Sequence, residues 1–212
     1  RPTGWGVEQQ ISCVDGSTFQ MYMANMKSIF MDMIKNTDMV IFNRCKKEDP
    51  LPTYRRGIKV ANQRAEVIFE DEEGELGDIF QDEMPFDMNA PVIEILPEDY
   101  GIWFVDAMDH PENYEGKTVK FKARVMKPRG MGSKFFVPGR TAMTCCADDT
   151  TFLGYVCKSA YAPKLTPGEW VEVTAKVGIE KRNEYQGEEG IVLAAEHVEQ
   201  CDPLEDEMVY FN

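Results

Sequence analysis

Two hydrophobic periods divide the chain. In the first part, Phe19, Tyr22, Met26, Ile29, Phe30, Met33 and Ile34 recur at spacings of three and four, which predicts one apolar face of a helix of about five turns. A short apolar run at residues 11–14 precedes it, and Asp15, Gly16, Ser17 and Thr18 between them supply an N-cap. The helix is expected to stop at Asn36, Thr37 and Asp38. Residues 39–42 (Met-Val-Ile-Phe) form a continuous apolar run of the kind a buried parallel strand shows, and it ends on Asn43 and Arg44. A second helix is predicted over residues 53–61, with Tyr54, Ile58 and Ala61 on one side and Arg55, Arg56 and Lys59 on the other; a strand follows at 65–69. This alternation predicts an α/β layer with a parallel sheet.

The stretch 81–91 is polar and carries Pro85 and Pro91, as a linker would, and places a boundary near residue 88: one domain over 1–88, another over 89–212. Beyond it a strand is predicted at 92–96. Pro97, Glu98 and Asp99 then open a helix whose apolar face is Tyr100, Trp103, Phe104, Ala107 and Met108. His110 precedes Pro111 and reads as the residue that ends that helix. Past Gly116 the period changes to two. Val119, Phe121, Ala123 and Val125 alternate with Thr118, Lys120, Lys122 and Arg124, and Val171, Val173, Ala175 and Val177 alternate with Glu172, Thr174 and Lys176. With the runs at 141–146, 151–157 and 191–195 this makes five strands, and a small antiparallel barrel of the OB type accommodates them because closure removes exposed edges. The expected class is α+β: a partial α/β layer followed by an OB-like antiparallel barrel preceded by a helix.

Composition narrows the function classes. Of 212 residues, 43% are hydrophobic, enough for a sizeable core, and the formal net charge is -14. Such a charge repels phosphate backbones, so no nucleic-acid partner is expected. The one basic stretch, residues 127–134, reads as a flexible Gly-rich hairpin loop. No apolar run approaches the roughly 18 residues needed to span a bilayer, and no signal pattern opens the chain, so a cytoplasmic protein without a direct membrane span is expected. The cysteines at 13, 45, 145, 146, 157 and 201 are too sparse for a disulfide framework and are expected to be reduced.

Candidate chemistry lies in two places. Asn43 ends a strand where α/β sheets place ligands, although an amide there also serves as a turn former or cap. The stretch 139–157 holds Cys145, Cys146 and Cys157. If its two strand-like runs form a hairpin, Cys146 faces Thr151 and Cys145 faces Phe152, and Cys157 lies roughly 16 Å further along. Neighbouring strand residues point to opposite faces, which sets Cys145 and Cys146 apart unless a bulge intervenes. Structural packing, a metal or thiolate site, and redox chemistry all remain open for the pair. His197 and Cys201 are candidate additional ligands and Asp148 another, with Arg140 a candidate anchoring charge. The acidic run 70–73 reads as a solvated turn.

The segments "CVDGSTF", "DMVIFNR" and "YRRGIKVANQRAEVIFEDEEGEL" resemble the latter half of the CobW-type GTPase domain, a P-loop family tied to metal delivery. In that family a strand ends in Asn-Lys-x-Asp, whose Asp recognises guanine, and a later helix ends near Asn-Pro-x-Ala. Here Asn43, Arg44, Cys45 and Lys46 occupy the first motif and Asn62, Gln63, Arg64 and Ala65 the second, so the guanine-reading Asp is missing. The sequence contains no Gly-x-x-x-x-Gly-Lys-Ser/Thr, and Met143 stands where the family's Cys-x-Cys-Cys would begin. The resemblance therefore implies the back half of a P-loop-NTPase-like layer, with GTP and Mg²⁺ bound only in a longer protein, Asn43 and Arg44 at the nucleotide, and no GTP hydrolysis by this chain alone.

A second resemblance covers residues 92–212. "PENYEGKTVKFKARV", "FVPGRTAMTCCADD", "GYVC", "EWVEVTAKV" and "MVYF" look like the C-terminal domain of YcgQ-type proteins, which accompany a predicted permease in bacteria. Together the two imply a GTP-binding protein that handles zinc or cobalt, with Cys145, Cys146, His197 and Cys201 as candidate zinc ligands and a permease or metal-receiving protein as partner. The rival expectation is a non-enzymatic module that docks a membrane permease or another protein.

Overall fold

The computed structural model describes residues 6–77, 84–146 and 149–210, without the side chains of Cys145 and Cys146. The chain divides into two compact units, Arg1–Asp82 with Met143–Thr151 and Phe211–Asn212, and Glu83–Ala142 with Phe152–Tyr210.

The first unit contains the β-α-β-α-β alternation. Strand β1 (Ile11–Asp15), helix α1 (Gly16–Ile34), β2 (Met39–Asn43), helix α2 (Leu51–Ala61) and β3 (Glu66–Phe69) follow in order, and the sheet runs β1-β2-β3 with both pairings parallel. Asp15 caps α1, accepting a hydrogen bond from the Ser17 N–H at 3.1 Å. The core packs Val40 and Phe42 of β2 and Phe69 of β3 against Phe19, Met31 and Ile34 of α1 and Tyr54 and Ile58 of α2. Phe19 sits edge-on to both Phe42 and Tyr54, with ring centroids 5.0 and 4.5 Å away. Asn62 closes the end of α2, its side-chain amide donating to the carbonyls of Ile34 and Thr37.

Helix α1 departs from the face its spacing predicts. Phe19, Met31 and Ile34 are buried, with Met23 and Phe30 packed beside them, whereas Tyr22, Met26, Ile29 and Met33 are exposed together with Met21. The helix is apolar nearly all round, so periodicity alone did not select the buried side, and a kink at Met26 (φ -138°, ψ 31°) shifts the phase between its halves.

The second unit is a closed five-stranded barrel. The strand predicted at 92–96 is only β4 (Ile93–Glu94), followed by a 3-10 turn at Pro97–Asp99 and helix α3 (Tyr100–Asp109). Strands β5 (Thr118–Met126), β6 (Phe135–Cys146), β7 (Asp149–Gly154), β8 (Val156–Lys158), β9 (Trp170–Lys181), β10 (Glu189–Gln200) and β11 (Met208–Val209) complete it. The barrel order is β5-β6-β8-β10-β9 and back to β5; every pairing is antiparallel except β8 with β10. This is the connectivity of an OB-like barrel. The run at 151–157 is divided between β7, which pairs with β6, and β8, which belongs to the barrel. Strand β6 begins six residues earlier than its apolar run, because Val137, Pro138 and Gly139 pair with Met126, Val125 and Arg124 of β5.

The alternating positions fill the interior: Val119, Phe121, Ala123 and Val125 from β5, and Val171, Val173, Ala175 and Val177 from β9, are all buried. Trp103 of α3 packs on Phe121 at 4.8 Å and edge-on to Tyr155 at 5.6 Å, so the helix covers one end of that core. Tyr100 donates to the Leu153 carbonyl at 3.0 Å, and Tyr155 donates to that of Phe104. Among the described residues no helix is long and apolar enough to cross a membrane.

Arg140, in the middle of β6, is 2% exposed. Its guanidinium donates to the carbonyls of Pro97, Asp206 and Met208 and lies 5.7 Å from the centre of the Tyr100 ring. Burial lowers its pKa from the ordinary arginine value, and no carboxylate among the described residues pairs with it. Replacing it by Met leaves three carbonyls without their donor. Arg140→Met is expected to lower stability by about 2–4 kcal/mol, read from the urea midpoint; a loss below about 0.5 kcal/mol would show that water replaces the donor at little cost.

Candidate functional site

The carboxyl ends of β1 and β2 lie side by side, with Asp15 opposite Asn43 in the parallel register. The chain between Asp15 and α1 has to pass close to the exit of β2, and Gly16 permits this. A Cβ there would lie 2.7 Å from the Cys45 Sγ and 3.1 Å from the Asn43 carbonyl oxygen. Asp15 also accepts from the Ser17 hydroxyl at 2.7 Å and forms an ion pair with Arg44 at 3.0 Å. The Ser17 hydroxyl, with Arg44 adding to it, holds the Asp15 carboxyl below its ordinary pKa.

Arg44 takes the left-handed conformation, φ 55°, which costs a non-glycine residue about 1–2 kcal/mol. That turn redirects the backbone so that the Cys45 N–H donates to Glu70 at 2.9 Å, while the Glu70 N–H donates to Phe42 at 2.7 Å. The β2 exit is thus tied to the end of β3. Asn43 occupies the edge of this bend, and its side-chain carbonyl oxygen is buried without a hydrogen-bond partner among the described residues. An unpaired buried acceptor costs about 1–3 kcal/mol, so the position is set by the bend and retains capacity for one donor. Asn43 and Arg44, both expected at a strand end, are together as the sequence indicates. Nothing in the residue pattern marks Asp15 and Gly16 as their neighbours, because that depends on the β1–β2 register.

The candidate metal ligands are placed differently. His197 is exposed, with its Nε2 3.2 Å from a Glu199 carboxylate oxygen, and Cys201 follows the end of β10. Four residues along an extended chain separate the two by about 13 Å, too far to share one ion. Cys145 and Cys146 end β6, and the ligand role expected of their thiols lies outside the described residues, as does that of Asp148. Among the described residues no three His, Cys, Asp or Glu side chains converge on a point. Cys157 pairs with Phe136 and Leu193 rather than with the end of β6.

Burial pushes the Cys157 thiol up to about 12; burial, reinforced by Asp49, pushes the Cys45 thiol up to about 11. Both behave as small core hydrophobes, whereas Cys13 is exposed. Near neutral pH, iodoacetamide is expected to label Cys13 readily and to reach Cys45 and Cys157 only after unfolding, as read by peptide mass spectrometry. Equal native rates at the three would mean that the two cores open easily.

No curated protein matches the chain. Solved structures that share some likeness include the mitochondrial single-stranded DNA-binding protein of S. cerevisiae, at 10% identity over 42% of this chain and 97% of that one, TM-score 0.25. Another is the aspartyl-tRNA synthetase of Entamoeba histolytica, at 15% identity over 56% of this chain and 27% of that one, TM-score 0.28. Likenesses this slight have no bearing on what the chain does. The model of the DUF1980 C-terminal domain matches residues 75–211. That span agrees with the resemblance drawn for the second half and lends no support to a CobW-type first half. By this match, which spans more than half of its length, the chain belongs to the DUF1980 C-terminal domain family.

Proposed function

We propose that residues 6–77 form the base-binding part of a nucleotide-binding α/β layer joined to an OB-like domain of the DUF1980 family. The nucleotide is GTP on the CobW-type resemblance, and its phosphates and Mg²⁺ are held by a loop this sequence lacks. The observation that supports this reading most is Asn43: an amide at the carboxyl end of the central parallel strand, with a buried oxygen that accepts no hydrogen bond from the described residues. The ion pair of Asp15 with Arg44 fixes the neighbouring bend. Metal handling, with zinc or cobalt as cargo passed to a permease or receiving protein in the cytoplasm, belongs to the same proposal and rests on the resemblance alone.

A second reading is favoured by the exposed row on α1. Tyr22, Met26, Ile29 and Met33, at helical spacings of three and four, are 39–62% exposed. An α/β layer that continued past β1 would cover such a row, and so would a protein partner of a non-enzymatic docking module. GTP titration of a polypeptide that joins these residues to a phosphate-binding loop separates the two readings. The nucleotide reading expects Asn43→Ala to weaken GTP binding about tenfold or more while leaving the melting temperature within a few degrees. Unchanged affinity removes Asn43 from the site and leaves docking as the better account.

A further inference from the structure

A cleft of about 630 Å³ opens at one end of the barrel, walled by residues 128–132 of the β5–β6 loop and by Lys181 at the end of β9 with residues 182–184 of the β9–β10 loop. These loops join the first to the second and the fourth to the fifth strands of the barrel, the pair that flanks the ligand face of OB folds. The two walls are some fifty residues apart in sequence and meet only because β5, β6, β9 and β10 close into one sheet.

The cleft is a cationic spot in an acidic chain. Residues 127–134 carry Lys127, Arg129 and Lys134 and no carboxylate. Gly130, at φ +86° in a turn closed by the Met131 N–H on the Pro128 carbonyl, puts Arg129 at the corner of that loop. On the opposite wall Arg182 is immobilised: its guanidinium lies 4.4 Å over the Phe135 ring and makes a forked contact to Glu184 at 3.0 and 3.2 Å. Its charge is therefore spent on Glu184 and, at 3.7 Å, on Glu180. Arg129 and Lys181 are exposed and form no ion pair among the described residues, and although Lys181 stands opposite Glu189 in the strand register, the two bring positive charge to one concave surface.

We propose that this cleft binds a small phosphate-bearing molecule, with Arg129 and Lys181 contacting the phosphate oxygens and Arg182 forming a fixed wall. A nucleic-acid strand fits less well. It needs exposed rings in series for stacking, whereas the Phe135 ring is covered by Arg182, and Glu180, Glu184, Glu188 and Glu189 border the second loop. The proposal is independent of the reading of Asn43, which lies in the other unit.

Inorganic pyrophosphate is the probe, titrated calorimetrically into the whole chain at low salt. Saturable binding is expected, weakened about tenfold or more in the Arg129→Ala, Lys181→Ala double variant and unchanged in Asn43→Ala. Both substituted side chains are exposed, and a urea melt of the double variant checks that the barrel is intact. Absence of saturable binding, or binding that the double variant leaves unchanged, overturns the proposal. So does tighter binding of an oligothymidylate than of pyrophosphate, which would make the surface a nucleic-acid track.

Discussion

A buried guanidinium without a carboxylate holds the second unit together. Arg140 extends from the middle of the strand that closes the barrel and gathers three backbone carbonyls, one before α3 and two around β11. Neither segment has much else to fix it: β4 and β11 are two residues each. Charged donors make stronger hydrogen bonds than neutral ones, and backbone acceptors cannot drift as a carboxylate side chain can. The barrel, the helix that covers its end and the closing strand are thus referred to one side chain. Removing an arginine from water is costly, and the face of Tyr100 beside it supplies part of the compensation.

Much of the barrel was legible because its strands are half-buried and their side chains alternate without interruption. β5 and β9 read directly from period two, and α3 from its aromatic face. What could not be read was set by partners distant in sequence. Pro138 and Gly139 look like a strand end, yet β5 pairs with them. An arginine in an apolar strand gives no sign of which carbonyls will receive it. The walls of the loop cleft are separate in the sequence, so residues 127–134 alone resemble an ordinary turn.

The first unit shows the opposite limit. Its strands and helices fell where continuous apolar runs and caps placed them, and Asn43 lies at the end of its strand as the apolar run before it indicates. The buried side of α1 was not, since a helix with methionine, isoleucine and aromatic residues all round carries no phase information. Strand geometry had already set Cys157 apart from the end of β6, and the roles expected of the Cys145 and Cys146 thiols lie outside the described residues. Cys157 lies in the barrel interior opposite Phe136, and His197 lies in β10 with Cys201 just beyond its end.

The methionines on α1 also give the surface a chemical liability. Met21, Met26 and Met33 expose thioethers, and oxidation to the sulfoxide would turn an apolar row into a polar, stereochemically mixed one. Met31, on the buried side of the same helix, is shielded from that reaction. Oxidant exposure would therefore change what this helix can adhere to while leaving the packing beneath it in place.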